Sequence, residues 1–181
     1  CDEKSPLNPI SDYAIQKVEI EKKLMQLENA ISLRLATVFG TSPRMRMDLL
    51  VNDFTAKAFF DGYITLFEST FKRNYIHIRD VSRVIIHCLS NFEKMRGNIY
   101  NVGLSSANLS KKELCLKIQN HIPKFVINEN TFQKDPDQRN YIVSNVKLEN
   151  TGFIPKYDID HGISELIKFY ASIKKYTFGN V

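Results

Sequence analysis

Apolar residues fall at helical and strand spacings in an order that defines the chain's elements before any other property is considered. Asp12 to Asn29 contains neither Gly nor Pro and follows a capping residue, Ser11 or Asp12, so it predicts a helix with Val18, Leu24 and Leu27 turned inward. Ile31 to Phe39 is apolar and partly β-branched and stops at Gly40, the pattern of a buried parallel strand. A loop with Pro43 spans Thr41 to Arg46, and a second helix runs from Asp48 to Phe60 and ends at Asp61-Gly62. Short strands are expected at Tyr63–Phe67 and Asn74–Ile78, then a helix capped by Asp80 and reaching about Phe92, then a strand at Asn98–Val102.

Ser110-Lys-Lys-Glu113 is a capping box, and Leu114, Ile118 and Ile122 share one face of the helix it opens, ahead of Pro123. From Phe125 to Val143 the pattern reads as a strand, a polar loop at Glu129–Arg139 and a second strand. A short helix at Asn145–Thr151 closes at Gly152, and Asp158 or Asp160 opens a last helix through Ile173. No internal repeat is present. Helix–strand units mixed with paired short strands predict an α/β chain with a segregated α+β part.

Composition narrows the class. With 181 residues, 43% apolar and 25% charged, the chain is globular, of one domain or slightly more, and able to bury a sizeable core. Apolar runs such as Val84-Ile85-Ile86 never exceed three residues, far short of the roughly 18 that a bilayer-spanning helix needs. Three cysteines, Cys1, Cys88 and Cys115, form no C-x-x-C pair, so a disulfide framework and a zinc site are not implied and a reducing, cytoplasmic setting is expected. The net charge of +5 is diffuse and favours anionic ligands only weakly. The sequence opens at Cys1 in an acidic, Pro-containing stretch with no initiator Met, and reads as cut from something longer.

The first candidate for chemistry is Tyr13-Ala-Ile-Gln-Lys17. Four residues on a helix set the phenol and the ammonium one turn apart on one face, where a cation can stabilise a phenolate and fit the tyrosine for acid–base work near neutral pH. A solvated surface pair is the alternative for those five residues. His77, between Ile76 and Ile78, reads as a core or hinge histidine in preference to a catalytic one. The four histidines are scattered, without H-E-x-x-H spacing, so no metal site is proposed. The aromatic residues follow core periods, with no basic–aromatic stripe for single-stranded nucleic acid.

Context sharpens the first candidate. The stretch Pro6 to Tyr13, the helix after it, and Leu33-Arg34-Leu35-Ala36-Thr37-Val38-Phe39-Gly40 follow the order and spacing of the extended short-chain dehydrogenase/reductases. Lys72-Arg73-Asn74-Tyr75-Ile76-His77-Ile78-Arg79-Asp80-Val81 is similar to that family's R-D/P-F/Y-I/V-H-V-x-D-V segment. Asp137-Gln138-Arg139-Asn140-Tyr141 and Thr151-Gly152-Phe153-Ile154-Pro155 resemble its D-x-R-x-Y and L-G-F-x-P stretches. Nearly the whole chain is covered, and it resembles the NAD-dependent nucleotide-sugar epimerases and dehydratases.

The resemblance implies a partial Rossmann-type parallel sheet, the C-terminal portion, with a small α+β substrate-binding domain. Residues 1–45 would complete an NAD(P)-binding domain, and residues 46–181 would form the substrate-binding part with interleaved segments returning to the sheet. Tyr13 would shuttle a sugar-hydroxyl proton, and Lys17 would hold the nicotinamide ribose of NAD or NADP and keep the tyrosine acidic. Arg73 would bind the substrate diphosphate, a task suited to a planar guanidinium. Arg139 and Lys134 are weaker candidates for the same anion. Asn52 either faces the substrate or is a solvated helix residue. Thr37 stands where many epimerases carry Asn, which argues against a galactose-type 4-epimerase. Arg44 and Arg46 contact phosphate or a partner subunit, or form a solvated basic loop.

The sequence departs from the family in lacking the Gly-rich G-x-x-G-x-x-G turn that receives a cofactor pyrophosphate. The expectation is therefore a chain without its N-terminal Rossmann half, which alone exposes an apolar sheet edge and binds no NAD. Its partners would be that half, a nucleotide-sugar substrate and, when full length, a second copy in a homodimer. Neither nucleic acid nor membrane is expected. The alternative function is a non-catalytic binding or scaffold protein of the same fold.

Overall fold

The computed structural model describes residues 1–130 and 140–173. Helix α1 (Asp12–Leu24) begins at Ser11, whose hydroxyl accepts from the Ala14 amide at 3.3 Å. It leads into β1 (Ile31–Leu35) and, after a break at Ala36, β2 (Thr37–Phe39). The single apolar run read from the sequence is thus two strands with different neighbours. β1 pairs in parallel with β5 (Asn98–Val102), Leu33 opposite Tyr100, whereas β2 pairs in parallel with β4 (Lys72–His77), Thr37 opposite Tyr75. Ala36 donates to the Val102 carbonyl at the crossing between the two ladders.

Helix α2 (Leu50–Phe60) stops at Asp61 and Gly62, and Gly62 takes the positive φ of +77° that such a stop needs. β3 (Tyr63–Phe67) pairs in parallel with β7 (Val126–Asn130). β4 carries β6 (Asn108–Ser110) antiparallel on its other side, Arg73 opposite Leu109. Helices α3 (Ile78–Ser90), α4 (Phe92–Met95), α5 (Lys111–His121), α6 (Val146–Glu149) and α7 (Ile159–Ser172) are the other elements among the described residues. Among the described residues three of the four strand pairings are parallel, so the fold is mixed α/β with an antiparallel part, as the pattern requires. No described helix is long and apolar enough to cross a membrane.

The core lies between α2, α5, α7 and β4. Tyr75, Ile76, Leu114, Ile118, Ile163, Leu166 and Tyr170 are all buried there. Each large apolar side chain removed from water contributes about 1.5–3 kcal/mol. Packing is close: a Cβ at Gly162 of α7 would fall 2.2 Å from Phe39 Cε2. The Tyr170 hydroxyl donates to the Asn52 carbonyl at 2.9 Å and so ties α7 to α2.

Several expectations need correction. Helix α1 ends at Leu24, not Asn29, and Leu24 and Leu27 are 38% and 51% exposed. The helix buries no residue; Glu21 holds it to β1 by accepting from Arg34 Nε at 2.8 Å and Nη2 at 2.6 Å. The strand Ile31–Phe39 is parallel, yet only Phe39 of it is buried. Asp80 does not cap α3: His77 does, its Nδ1 accepting from the Arg79 amide at 3.2 Å. Asp80, fully buried in the first turn, accepts from the Lys156 and Tyr157 amides and from Arg83, pinning the segment that leads to α7. No strand forms at 140–143, where the Tyr141 amide donates to the Lys72 carbonyl and the Val143 amide to the Asn108 side chain. β6 was not anticipated; its three residues adjoin the capping box, where Ser110 and Glu113 satisfy one another as expected.

Candidate active site

A cavity of about 1010 Å³ opens between the ends of β2 and β4, the loop after β2, helix α2 and strand β3. Its apolar wall is Ile64, Leu66 and Phe67 of β3 with Phe54 of α2. Among the described residues its polar wall carries Arg44, Arg46, Lys57, Arg73 and Lys111 against one carboxylate, Asp48. Arg46 and Asp48 pair through two contacts of 2.8 and 2.6 Å, and Lys57 pairs with Asp53 along α2 at 2.7 Å. Lys111 donates to the Phe67 carbonyl at 3.0 Å, which joins the head of α5 to the end of β3. The balance of charge on the wall favours an anion.

Six of the residues singled out from the sequence line this one cavity: Tyr13, Thr37, Arg44, Arg46, Asn52 and Arg73. Arg73 is 7% exposed, which excludes a surface arginine at a strand end. Asn52 is 2% exposed, which excludes a solvated helix residue. Its amide is committed to the loop wall, with Oδ1 accepting from the Gly40 amide at 3.0 Å and Nδ2 donating to the Arg46 carbonyl at 2.9 Å. Gly40 has a φ of +108°, and a Cβ there would lie 2.6 Å from His77 Nε2, so only glycine fits.

Tyr13 and Lys17 share a face of α1, the ammonium lying 5.4 Å from the ring centroid. Tyr13 stands at the cavity wall and is 71% exposed. The pair is carried on a helix fixed by charge: the Arg34 guanidinium holds the Glu21 carboxyl below the usual carboxylate range, against the opposing effect of burial. Arg139 and Lys134 lie outside the described residues. His77 is a core residue, as expected, fully buried with Phe39 edge-on at 5.2 Å and Tyr157 at 4.9 Å. Burial pushes its imidazole below the ordinary value, against the pull of Glu165. Cys115 is buried, its thiol pushed up to about 12 by burial, and is chemically inert.

Sequence reading missed Lys57, Lys111 and the β3 segment as cavity wall. Lys111 offered only its place in the capping box, and the β3 residues only their strand pattern. Nothing local marks either as facing a ligand.

Comparison with known proteins agrees with this architecture. The model of the NAD dependent epimerase/dehydratase family matches residues 1–103. A dTDP-glucose 4,6-dehydratase from Bacillus anthracis, solved in complex with NAD, is similar with a TM-score of 0.78 at 21% identity, over 96% of this chain and 56% of that one. A UDP-glucose 4-epimerase from Thermotoga maritima, solved with UDP-glucose, is similar with a TM-score of 0.78 at 21% identity, over 95% and 57%. A UDP-glucose 4-epimerase from Thermus thermophilus, in complex with NAD, gives a TM-score of 0.77 at 22% identity, over 94% and 57%. The likeness to these structures is one of fold, and the chain spans a little over half of their length. By the match across its first 103 residues, the chain belongs to the NAD-dependent epimerase/dehydratase family.

Proposed function

We propose that this chain supplies the substrate-binding part and the proton-transferring pair of an enzyme that uses NAD or NADP to epimerise or dehydrate a nucleotide-activated sugar. Residues 1–45 belong to the cofactor side in this reading, and residues 46–181 hold the substrate. The observation that carries it is the meeting of Tyr13, Thr37 and a nearly buried Arg73 on one cationic cavity. At about 1010 Å³ the cavity matches the upper range of small-molecule sites, which suits a ligand as large as a nucleoside diphosphate sugar.

The residues present fit one end of a nicotinamide cofactor. Tyr13 and Lys17 are both exposed, with the ammonium 5.4 Å from the phenol ring centroid and Tyr13 lining the cavity, so the ammonium would be free to meet ribose hydroxyls beside it. NAD or NADP held there would supply the hydride acceptor and donor for the sugar carbon. Tyr13 takes the proton from the sugar hydroxyl and gives it back, with the Lys17 ammonium beside its ring. Arg73 anchors the diphosphate through two guanidinium donors at once, with Arg139 as a second anchor, so that the sugar is presented to Tyr13. Thr37, on β2 opposite Tyr75, lines the cavity beside the sugar, and Asn52 fixes the wall.

This sequence holds no Gly-rich turn for a cofactor pyrophosphate, and in this reading another segment would supply it. The exposed apolar side chains Ile15, Ile20 and Leu24 of α1 support a helix that is covered in the complete protein, by that segment and by the homodimer partner.

The test is calorimetric titration of the complete protein with UDP and dTDP. Binding of one of them, weakened about tenfold or more by Arg73→Ala, is expected. Equal affinity in the two proteins overturns the reading.

A further inference from the structure

The loop between β2 and α2 presents Ser42, Arg44 and Arg46 to the cavity. Asn52 grips it from the α2 side. On its other side stands Glu165, from the middle of α7 and more than a hundred residues away in sequence. Its Oε1 accepts from the Thr41 amide at 3.0 Å and from the Thr41 hydroxyl. Its Oε2 meets Arg79 Nη2 of α3 at 2.9 Å. Two imidazoles flank the carboxylate, His77 Nε2 at 3.6 Å and His161 Nε2 at 3.9 Å.

The Glu165 side chain is only 15% exposed and does not line the cavity. Burial by itself would raise this carboxyl, but the Thr41 hydrogen bonds and the neighbouring His77 and Arg79 outweigh it and hold the group below the usual range. A charge taken out of water needs partners, and here two of its bonds go to one loop residue. With Arg79 beside it, the carboxylate is compensated and does not repel an anion in the cavity.

We propose that Glu165 is a positioning residue for anion binding: by fixing Thr41 it holds Ser42, Arg44 and Arg46 in the arrangement that receives a phosphate-bearing ligand. The inference rests on the reading of the cavity as a nucleotide-sugar site. The loop is set from two directions, by an amide on α2 and a carboxylate on α7, so the packing of α7 is felt in the cavity.

Two readouts on the complete protein test this, UDP affinity by calorimetry and amide hydrogen exchange over residues 40–46. Glu165→Ala is expected to speed exchange at Thr41 about tenfold or more and to weaken UDP about tenfold. Glu165→Gln keeps an oxygen for Thr41 and restores affinity to within about threefold of wild type, because the ion pair it loses involves a half-exposed arginine and is worth little. Adding Thr41→Val to Glu165→Ala costs less than about twofold more, the mark of two groups acting through one contact. Should Glu165→Ala fail to fold, Thr41→Val alone is expected to weaken UDP about threefold, and an unchanged affinity overturns the proposal. Unaltered exchange in Glu165→Ala, or no recovery in Glu165→Gln, overturns it as well. If wild type binds UDP and Arg73→Ala weakens it while Glu165→Ala does not, only this inference falls. If exchange responds to Glu165 but wild type binds no UDP, the cavity reading falls and takes the affinity claim with it.

Discussion

Helices α1 and α7 are nearly equal in length, 13 and 14 residues, but α7 buries Ile159, Gly162, Ile163, Leu166 and Tyr170 while α1 buries nothing. The wall of the cavity is built on the first kind of support and the Tyr13/Lys17 pair on the second. Apolar packing against α2 and α5 holds α7, whereas α1 is held by the Glu21–Arg34 ion pair and by Ser32 donating to the same carboxylate. A part-buried bidentate pair orients a helix but contributes far less than a packed face. In the proposed reading, the anion-binding wall therefore rests on packed elements and the Tyr13/Lys17 pair on a helix that buries no residue.

The contrast sets the size of the expected mutational effects. Leu166→Ala in α7 should lower stability by about 2–5 kcal/mol in urea unfolding, as a cavity in a close-packed core does. A smaller loss would mean that α7 is no better supported than α1. Acid should act next, and in one direction. Between its lowered folded value and the ordinary 6.5, His77 binds a proton only on unfolding, so stability falls as pH drops below 6.5. Glu21 and Glu165, held low in the folded chain, add stability that is present above 4.5 and is lost as pH falls through their folded values. Unfolding curves for His77→Asn should lack the upper part of this dependence; an unchanged profile would refute the assignment.

The caps repeat the comparison on a smaller scale. Ser110→Ala should cost about 1 kcal/mol, because it breaks a complete capping box under a packed helix. Ser11→Ala should cost about 0.5 kcal/mol, since its bond to Ala14 is exposed and 3.3 Å long. Thermal melts of the two variants side by side separate these values. Smallest of all, Leu27→Ala just after α1 should change stability by less than about 0.5 kcal/mol, its side chain being 51% exposed already.

Elements with a local cause were legible in the sequence. The capping box at Ser110, the strand at Asn98–Val102 and the glycine stops after Asp61 and Thr151 were all visible because neighbouring residues produce them. The division of Ile31–Phe39 into two strands was hidden, since it depends on β5 pairing with its first part and β4 with its second. Asp80 looked like a cap because its true partners, the amides of Lys156 and Tyr157, lie more than seventy residues on. In the site, the Tyr13/Lys17 spacing and the Arg73 segment were legible as motifs. Lys57, Lys111 and Glu165 were not, because only the folded chain brings them to the cavity or its loop.

Turnover of UDP-glucose or dTDP-glucose by the complete protein carrying Tyr13→Phe bears most directly on the proposed chemistry. Loss of turnover by about a hundredfold or more is the expected result, the effect of removing a general acid–base from a proton-coupled oxidation. Turnover retained near the wild-type rate would contradict a proton-transferring role for Tyr13 and leave a cavity that binds without reacting.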